Sequence, residues 1–239
     1  MKLNKKLLGV ASAGLMAAGL FAGCAGGASQ NTNTTGDNGD KLKVVTTIYP
    51  EYDWVKNVAG DNANVELLLK NGIDMHNYSP SVEDMAKISD CDLFVYVGGP
   101  SDSWVEGALK NASNKDMKVV KLLDVVADSL KEEETVEGMQ VTDHDHDDED
   151  HDTSEYDEHA ERFVNEISES LVSLDSANAD AYSANAKAYN TELEALDKEY
   201  SEAVSSSTVK TLLFADRFPF RYMVAEYGLS YYAAFDGCA

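Results

Sequence analysis

The coordinating nitrogens of this sequence are five histidines: His76, His144, His146, His151 and His159. None falls in a run that reads as an interior strand. His76 lies in Gly72-Ile73-Asp74-Met75-His76-Asn77-Tyr78-Ser79-Pro80-Ser81, a turn-rich loop between a β-run and a helix start. Ser81 has the character of a helix N-cap, with Glu83 and Asp84 in the first turn. Open α/β sheets place their ligands in loops at the carboxyl ends of strands, so this loop is where a bound ion belongs. A borderline-soft dication such as Zn²⁺ takes a few nitrogen or oxygen donors in a tetrahedral arrangement. Taken singly, His76 fits a locally bonded loop residue, and His159 fits a ring at the inward face of a helix start. Taken as a pair, each at the edge of a lobe, they point to metal ligation.

Residues 143–152 alternate imidazole and carboxylate without a basic residue. A flexible tract of this kind cannot preorganise a tight site, and weak, exchangeable cation binding through His144, His146 and His151 is what it offers. A solvated charge run is the simpler account of its acids, but the interleaved histidines favour metal contact. Asp143, Asp145 and Asp147 match the opening of a calcium loop. Asp148 replaces the required glycine and Ser154 the required glutamate, so that match fails. No nucleophile elbow, phosphate loop or paired-histidine hydrolase motif occurs. Glu158 beside His159 is the one general base that a metal-dependent hydrolase would use.

The elements that must position these groups begin after a leader. Met1 to Lys6 is basic and residues 7–23 are apolar and small, the layout of a secretory signal peptide. It ends Leu20-Phe21-Ala22-Gly23-Cys24, a pattern that resembles a bacterial lipobox, with Cys24 as the lipidated residue. A polar, glycine-rich tether follows to residue 41. The net charge is −24, and the leader carries Lys2, Lys5 and Lys6 and no acid, so the exported part is more acidic still. Such a surface argues against nucleic acid and anionic lipid as electrostatic partners and would concentrate cations, although solubility alone is the simpler account of the overall charge. Cys91 precedes the apolar run 93–97 and reads as an inert core thiol. Pairing of Cys91 with Cys238 stays open.

From residue 43 short apolar runs alternate with helical patterns. Strands are expected at 44–48, 65–69, 93–97 and 119–120. Helices are expected from Tyr49-Pro50 onward, with Tyr52, Val55 and Val58 on one face, and at 81–89 and 103–110. Continuous apolar strands between helices imply a parallel sheet covered on both faces. Residues 129–156 show no periodicity and read as a mobile acidic loop. Beyond it Phe163, Val164, Ile167 and Leu171 share a helical face, and 175–205 form a long amphipathic helix without Gly or Pro. A strand at 209–214, a helix at 219–227 and a strand at 230–235 open a second α/β unit. Two strands and one helix cannot bury a core alone, so the second lobe reads as incomplete and the chain as truncated.

Val45-Thr46-Thr47-Ile48-Tyr49-Pro50, the Gly72 to Ser81 loop, Asp92-Leu93-Phe94-Val95-Tyr96-Val97-Gly98 and Tyr156-Asp157-Glu158-His159 together resemble the zinc-binding solute-binding lipoproteins of bacterial metal ABC transporters. The resemblance extends from residue 41 to the end. It implies an α/β fold of two lobes with parallel sheets joined by a long rigid helix, and a metal clasped between them. Its first histidine is matched by His76 and its second by His159. The third ligand, after the first strand of the second lobe, is matched by Asp216, and a fourth falls beyond residue 239. His159 runs directly into Ala160-Glu161-Arg162-Phe163, where the family has a longer Trp/Ser/Pro-containing stretch.

These readings set the expectations. The divisions are a signal peptide at 1–23, a lipidated tether at 24–41, an N-terminal lobe at 42–173 with its acidic loop at 129–156, a linker helix at 174–205 and the start of a C-terminal lobe at 206–239. The expected function is extracytoplasmic Zn²⁺ capture and delivery to a membrane permease, without catalysis, on a bilayer-anchored chain. A manganese carrier on the same scaffold and a hydrolase using Glu158 are the alternatives; the histidine-rich tract favours zinc over manganese.

Overall fold

The computed structural model describes residues 41–70, 73, 75–131, 134–140 and 159–235. The expected leader, Cys24, the tether, the histidines at 144, 146 and 151, Glu158 and Cys238 lie outside the described residues, as does the side chain of His76.

The chain opens with β1 (Leu42–Thr46), α1 (Tyr49–Ala59), β2 (Ala63–Leu67), α2 (Val82–Asp90), β3 (Leu93–Tyr96), α3 (Val105–Lys110), β4 (Lys118–Lys121) and the short α4 (Leu122–Val125). All strand pairs are parallel and the sheet order is β2-β1-β3-β4. The chain therefore leaves β1 in one direction to reach β2 and crosses back in the other to reach β3. The loops after β1 and β3 diverge, which opens a crevice at their carboxyl ends. Val44, Val45, Leu93, Phe94 and Val95 are buried, as a sheet layered on both faces requires.

Two cores flank this sheet. One holds Val44, Val55, Val58 and Leu93 against Val164, Ile167, Leu171, Tyr182 and Ala186. The other holds Val45, Ile88, Cys91, Phe94 and Val105. The expected inert thiol is found: Cys91 is buried and free, and burial pushes its pKa up to about 12. In α1 the inward positions belong to Glu51, Val55, Val58 and Ala59, while Tyr52 is only half-buried. A carboxylate thus occupies the place in which an aromatic ring is expected. Its Oε2 accepts from the Thr47 amide at 2.8 Å, the Thr47 hydroxyl at 2.9 Å and the Ile48 amide at 3.0 Å. The bond from the Ile48 amide is the N3-to-N-cap half of a capping box, and the two from Thr47 tie down the residue before the cap.

The helix α5 (His159–Leu174) buries Val164, Ile167 and Leu171, with Phe163 half-buried against Trp54 at a centroid distance of 5.3 Å. After a turn of 3₁₀ helix comes α6 (Ala179–Ser206), 28 residues or roughly 42 Å long. Its first half is part of the first core: Tyr182 is fully buried and donates to Asp175 Oδ2 at 2.8 Å, and Asn185 donates to the Val58 carbonyl at 3.0 Å. Its second half leaves that core. Leu196 and Tyr200 are exposed there, with Tyr200 stacked on Tyr227 at 5.7 Å.

Then follow β5 (Thr211–Phe214), α7 (Arg221–Glu226) and β6 (Ser230–Ala233), with β5 and β6 paired in parallel. Phe218, Val224, Tyr231 and Ala233 form a small third core. The helix is shorter than the expected 219–227, with Phe220 and Tyr227 as its flanking caps; the Phe218 ring before it stacks on that of Tyr231 at a centroid distance of 3.7 Å. The acidic loop also needs correction. Residues 134–140 are not an open charge run: Val136 and Met139 pack on the third core, and the Gln140 amide donates to the Ala234 carbonyl at 3.0 Å. Glu134 adds an ion pair with Arg221 at 3.2 Å and a carbonyl that accepts from the Tyr231 hydroxyl at 3.1 Å, and two apolar side chains three residues apart are too short a signal for periodicity to reveal. Among the described residues no helix is long and apolar enough to cross a membrane.

Candidate metal site

His76 occupies the middle of a 3₁₀ turn, Met75–Asn77, in the connection from β2 to α2. This places it on the carboxyl edge of the sheet, as expected. The turn is held from its downstream side. Ser81 and Asp84 form a reciprocal cap: Ser81 Oγ accepts from the Asp84 amide at 3.1 Å, and Asp84 Oδ2 accepts from the Ser81 amide at 3.0 Å. The Tyr78 hydroxyl donates to the same Oδ2 at 3.1 Å, and the Tyr78 ring meets Trp104 edge-on at 5.6 Å. Burial pushes the Asp84 carboxyl up, but the bonds from Ser81 and Tyr78 outweigh it and hold the group below its usual range.

His159 is the first residue of α5. Its Nε2 lies 2.6 Å from Ser129 Oγ, and its ring stands edge-on to Tyr222 of α7 at 5.0 Å. One imidazole therefore touches both the first α/β unit and the second. Burial lowers its pKa, the nearby Arg162 guanidinium lowers it further and Asp128 opposes both, so the environment favours the neutral ring, which keeps a lone pair. Arg162 is itself fixed one helical turn away: Nη2 donates to the Val125 carbonyl and to Asp128 Oδ1 at 2.6 Å, and Nη1 to Ser129 Oγ at 3.2 Å. Asp216 sits in the loop after β5, exposed, with Oδ1 accepting the Arg217 amide at 2.9 Å.

The structure thus links His159 to the second unit and leaves Asp216 on an open loop. Among the described residues no group of three or more His, Cys, Asp or Glu side chains is placed to hold a metal ion. Beside His159 runs a groove of about 340 Å³ between α5, α6 and α7, lined by Glu161, Leu196, Tyr200, Tyr222 and Tyr227. Sequence reasoning missed Ser129 and Tyr222, whose relation to His159 is tertiary and leaves no local pattern; it also passed over Arg162, although an i,i+3 position on one helix is a local signal. Glu51 did leave one: it stands four residues before Val55 and seven before Val58, on the inward stripe of α1.

A four-stranded parallel α/β unit, a long helix shared with a second α/β unit, and a histidine at their junction define a solute-binding protein of the two-lobed type. Residues 44–238 match the family described as the periplasmic component A of zinc-uptake complexes, ZnuA, and the chain belongs to that family. It is 38% identical over 197 residues to the zinc-binding lipoprotein AdcA of Streptococcus pneumoniae serotype 4, covering 79% of this chain and 38% of the relative. To the high-affinity zinc uptake system protein ZnuA of Bacillus subtilis it is 31% identical over 220 residues, covering 88% of this chain and 65% of the relative. The chain therefore spans less than two thirds of the length of these relatives. The Zn(II)-bound ZnuA-like domain of S. pneumoniae AdcA superposes with a TM-score of 0.63 at 30% identity, covering 82% of this chain and 67% of that domain.

Proposed function

We propose that this chain captures Zn²⁺ outside the cytoplasm and passes it to the permease of an ABC transporter. The ion is cargo: it is bound, carried and released, and no bond of a substrate is broken. His76 and His159 supply imidazole nitrogens, and Asp216 supplies a carboxylate from the second unit. His144, His146 and His151 act as a weak auxiliary collector. Cys24 carries the lipid that keeps the chain at the membrane after the leader, residues 1–23, is removed, with residues 24–41 as tether.

The observation that supports this reading best is the contact of His159 with Tyr222. It brings a neutral imidazole on the first unit against the helix that begins five residues after Asp216. Movement of one unit relative to the other would then open or close the ligand set, which suits capture followed by release. Neutral imidazole with carboxylate is also a donor set that zinc accepts and that a harder ion favours less.

Competition against a chromophoric chelator tests the reading. The wild-type chain is expected to withdraw zinc from the chelator, and His76→Ala to bind about tenfold more weakly or worse, which is about 1.4 kcal/mol. Equal competition by wild type and His76→Ala would remove His76 from the site. A clear preference for manganese would transfer the proposal to that ion.

A further inference from the structure

Ser129 is buried at the end of the 3₁₀ turn Ala127–Ser129, and three groups converge on its hydroxyl oxygen. These are the Val126 carbonyl at 3.2 Å, Arg162 Nη1 at 3.2 Å and His159 Nε2 at 2.6 Å. A hydroxyl has one proton and two lone pairs. A guanidinium can only donate, so Arg162 takes one lone pair. The proton must go to the carbonyl or to the imidazole. The Val126 carbonyl already accepts the Ser129 amide at 2.9 Å and is satisfied without it. The 2.6 Å contact with Nε2 falls in the range of hydroxyl donors and is short for an N–H donor, whose usual separation is about 2.9–3.0 Å. Donation from Arg162 into the oxygen also polarises the hydroxyl and makes it a better donor.

We propose that Ser129 is a positioning residue for His159: its hydroxyl donates to Nε2, fixes the ring proton on Nδ1 and occupies the lone pair through which Nε2 would reach a metal. The tautomer stands on the hydrogen-bond geometry alone. Only the consequence rests on the zinc reading: an ion taking Nε2 must first displace the serine. Ser129 would then act as a built-in competitor that keeps the ring oriented while no ion is bound and yields its place on capture. A neutral histidine side chain in water favours the proton on Nε2, so the opposite tautomer here would be imposed by the protein.

The test is ¹⁵N NMR of the histidine rings in the metal-free full chain at about pH 8, where imidazoles are neutral. His159 is assigned by its loss in His159→Asn. Wild type is expected to show a protonated Nδ1 and an unprotonated Nε2. Ser129→Ala should move the proton to Nε2, and Ser129→Thr, which keeps the hydroxyl, should restore the wild-type pattern. A wild-type spectrum with the proton on Nε2, or a pattern unchanged in Ser129→Ala, overturns the proposal. Should Ser129→Ala not fold, the wild-type and Ser129→Thr spectra still decide it. Zinc is then added to the same sample. If the His159 signals do not respond, zinc ligation by this residue fails while the serine contact stands.

Discussion

Glu51→Gln is expected to stabilise the protein at alkaline pH. Glu51 is fully buried at the carboxyl end of β1. Burial pushes its pKa up to about 8, the three donors at Thr47 and Ile48 oppose that rise, and Asp102 adds to it. Its second oxygen, Oε1, is sealed from solvent and has no hydrogen-bond partner among the described residues. The folded state therefore holds the proton that the unfolded chain gives up near pH 4.5. Where the folded state binds more protons, stability falls as pH rises, so the loss accumulates from about pH 4.5 to about pH 8 and then levels off.

A shift of that size corresponds to a penalty on the order of 5 kcal/mol. Glutamine can keep one acceptor oxygen for the three donors and carries no charge. The stability difference between Glu51→Gln and wild type should thus grow in favour of glutamine by a few kcal/mol across this window. Taking the difference cancels the self-repulsion of the other acids, which also grows with pH. Urea unfolding of both chains from pH 5 to 9 measures it. A pH-independent difference would mean that Glu51 titrates normally.

Tyr182→Ala should cost about 3–5 kcal/mol, by the precedent of large buried aromatic residues cut to alanine. The ring belongs to the first core with buried residues of α1 and α5, and with Ala186 it is one of the two buried positions of the long helix. Tyr182→Phe, which loses only the bond to Asp175, should cost about 1–2 kcal/mol. Against a total stability of about 5–15 kcal/mol the alanine change alone threatens the fold. The urea midpoints of the two variants separate packing from the hydrogen bond, and equal midpoints would place Tyr182 outside the core.

Much of this architecture was legible in the sequence because its signals are local. The apolar run 93–97 and the Ser81 cap mark β3 and α2 to within a residue or so. The spacing of Val164, Ile167 and Leu171 marks the buried face of α5. What escaped is what depends on distant partners. Glu51 is the exception: its partners Thr47 and Ile48 are local and it stands on the inward stripe of α1, but a carboxylate is an improbable core residue and was passed over. The docking of residues 134–140 rests on Val136 and Met139 finding Tyr231 and its neighbours almost a hundred residues away. At the site, sequence located His76 on its loop and His159 at a helix start. It could not foresee that Ser129 would meet the His159 ring, since no spacing rule links residues thirty apart; Arg162, one helical turn on from His159, was within reach of the i,i+3 rule.

X-ray absorption at the zinc edge tests the central claim most directly. The sample is the full chain carrying His144→Asn, His146→Asn and His151→Asn, loaded with one equivalent of zinc, so that the acidic tract contributes no imidazole. The spectrum should show two imidazole nitrogens at about 2.0–2.1 Å, falling to one when either His76 or His159 is also replaced by alanine. A shell of oxygen alone, or a spectrum indifferent to both replacements, would contradict the assignment of these two histidines as the zinc ligands.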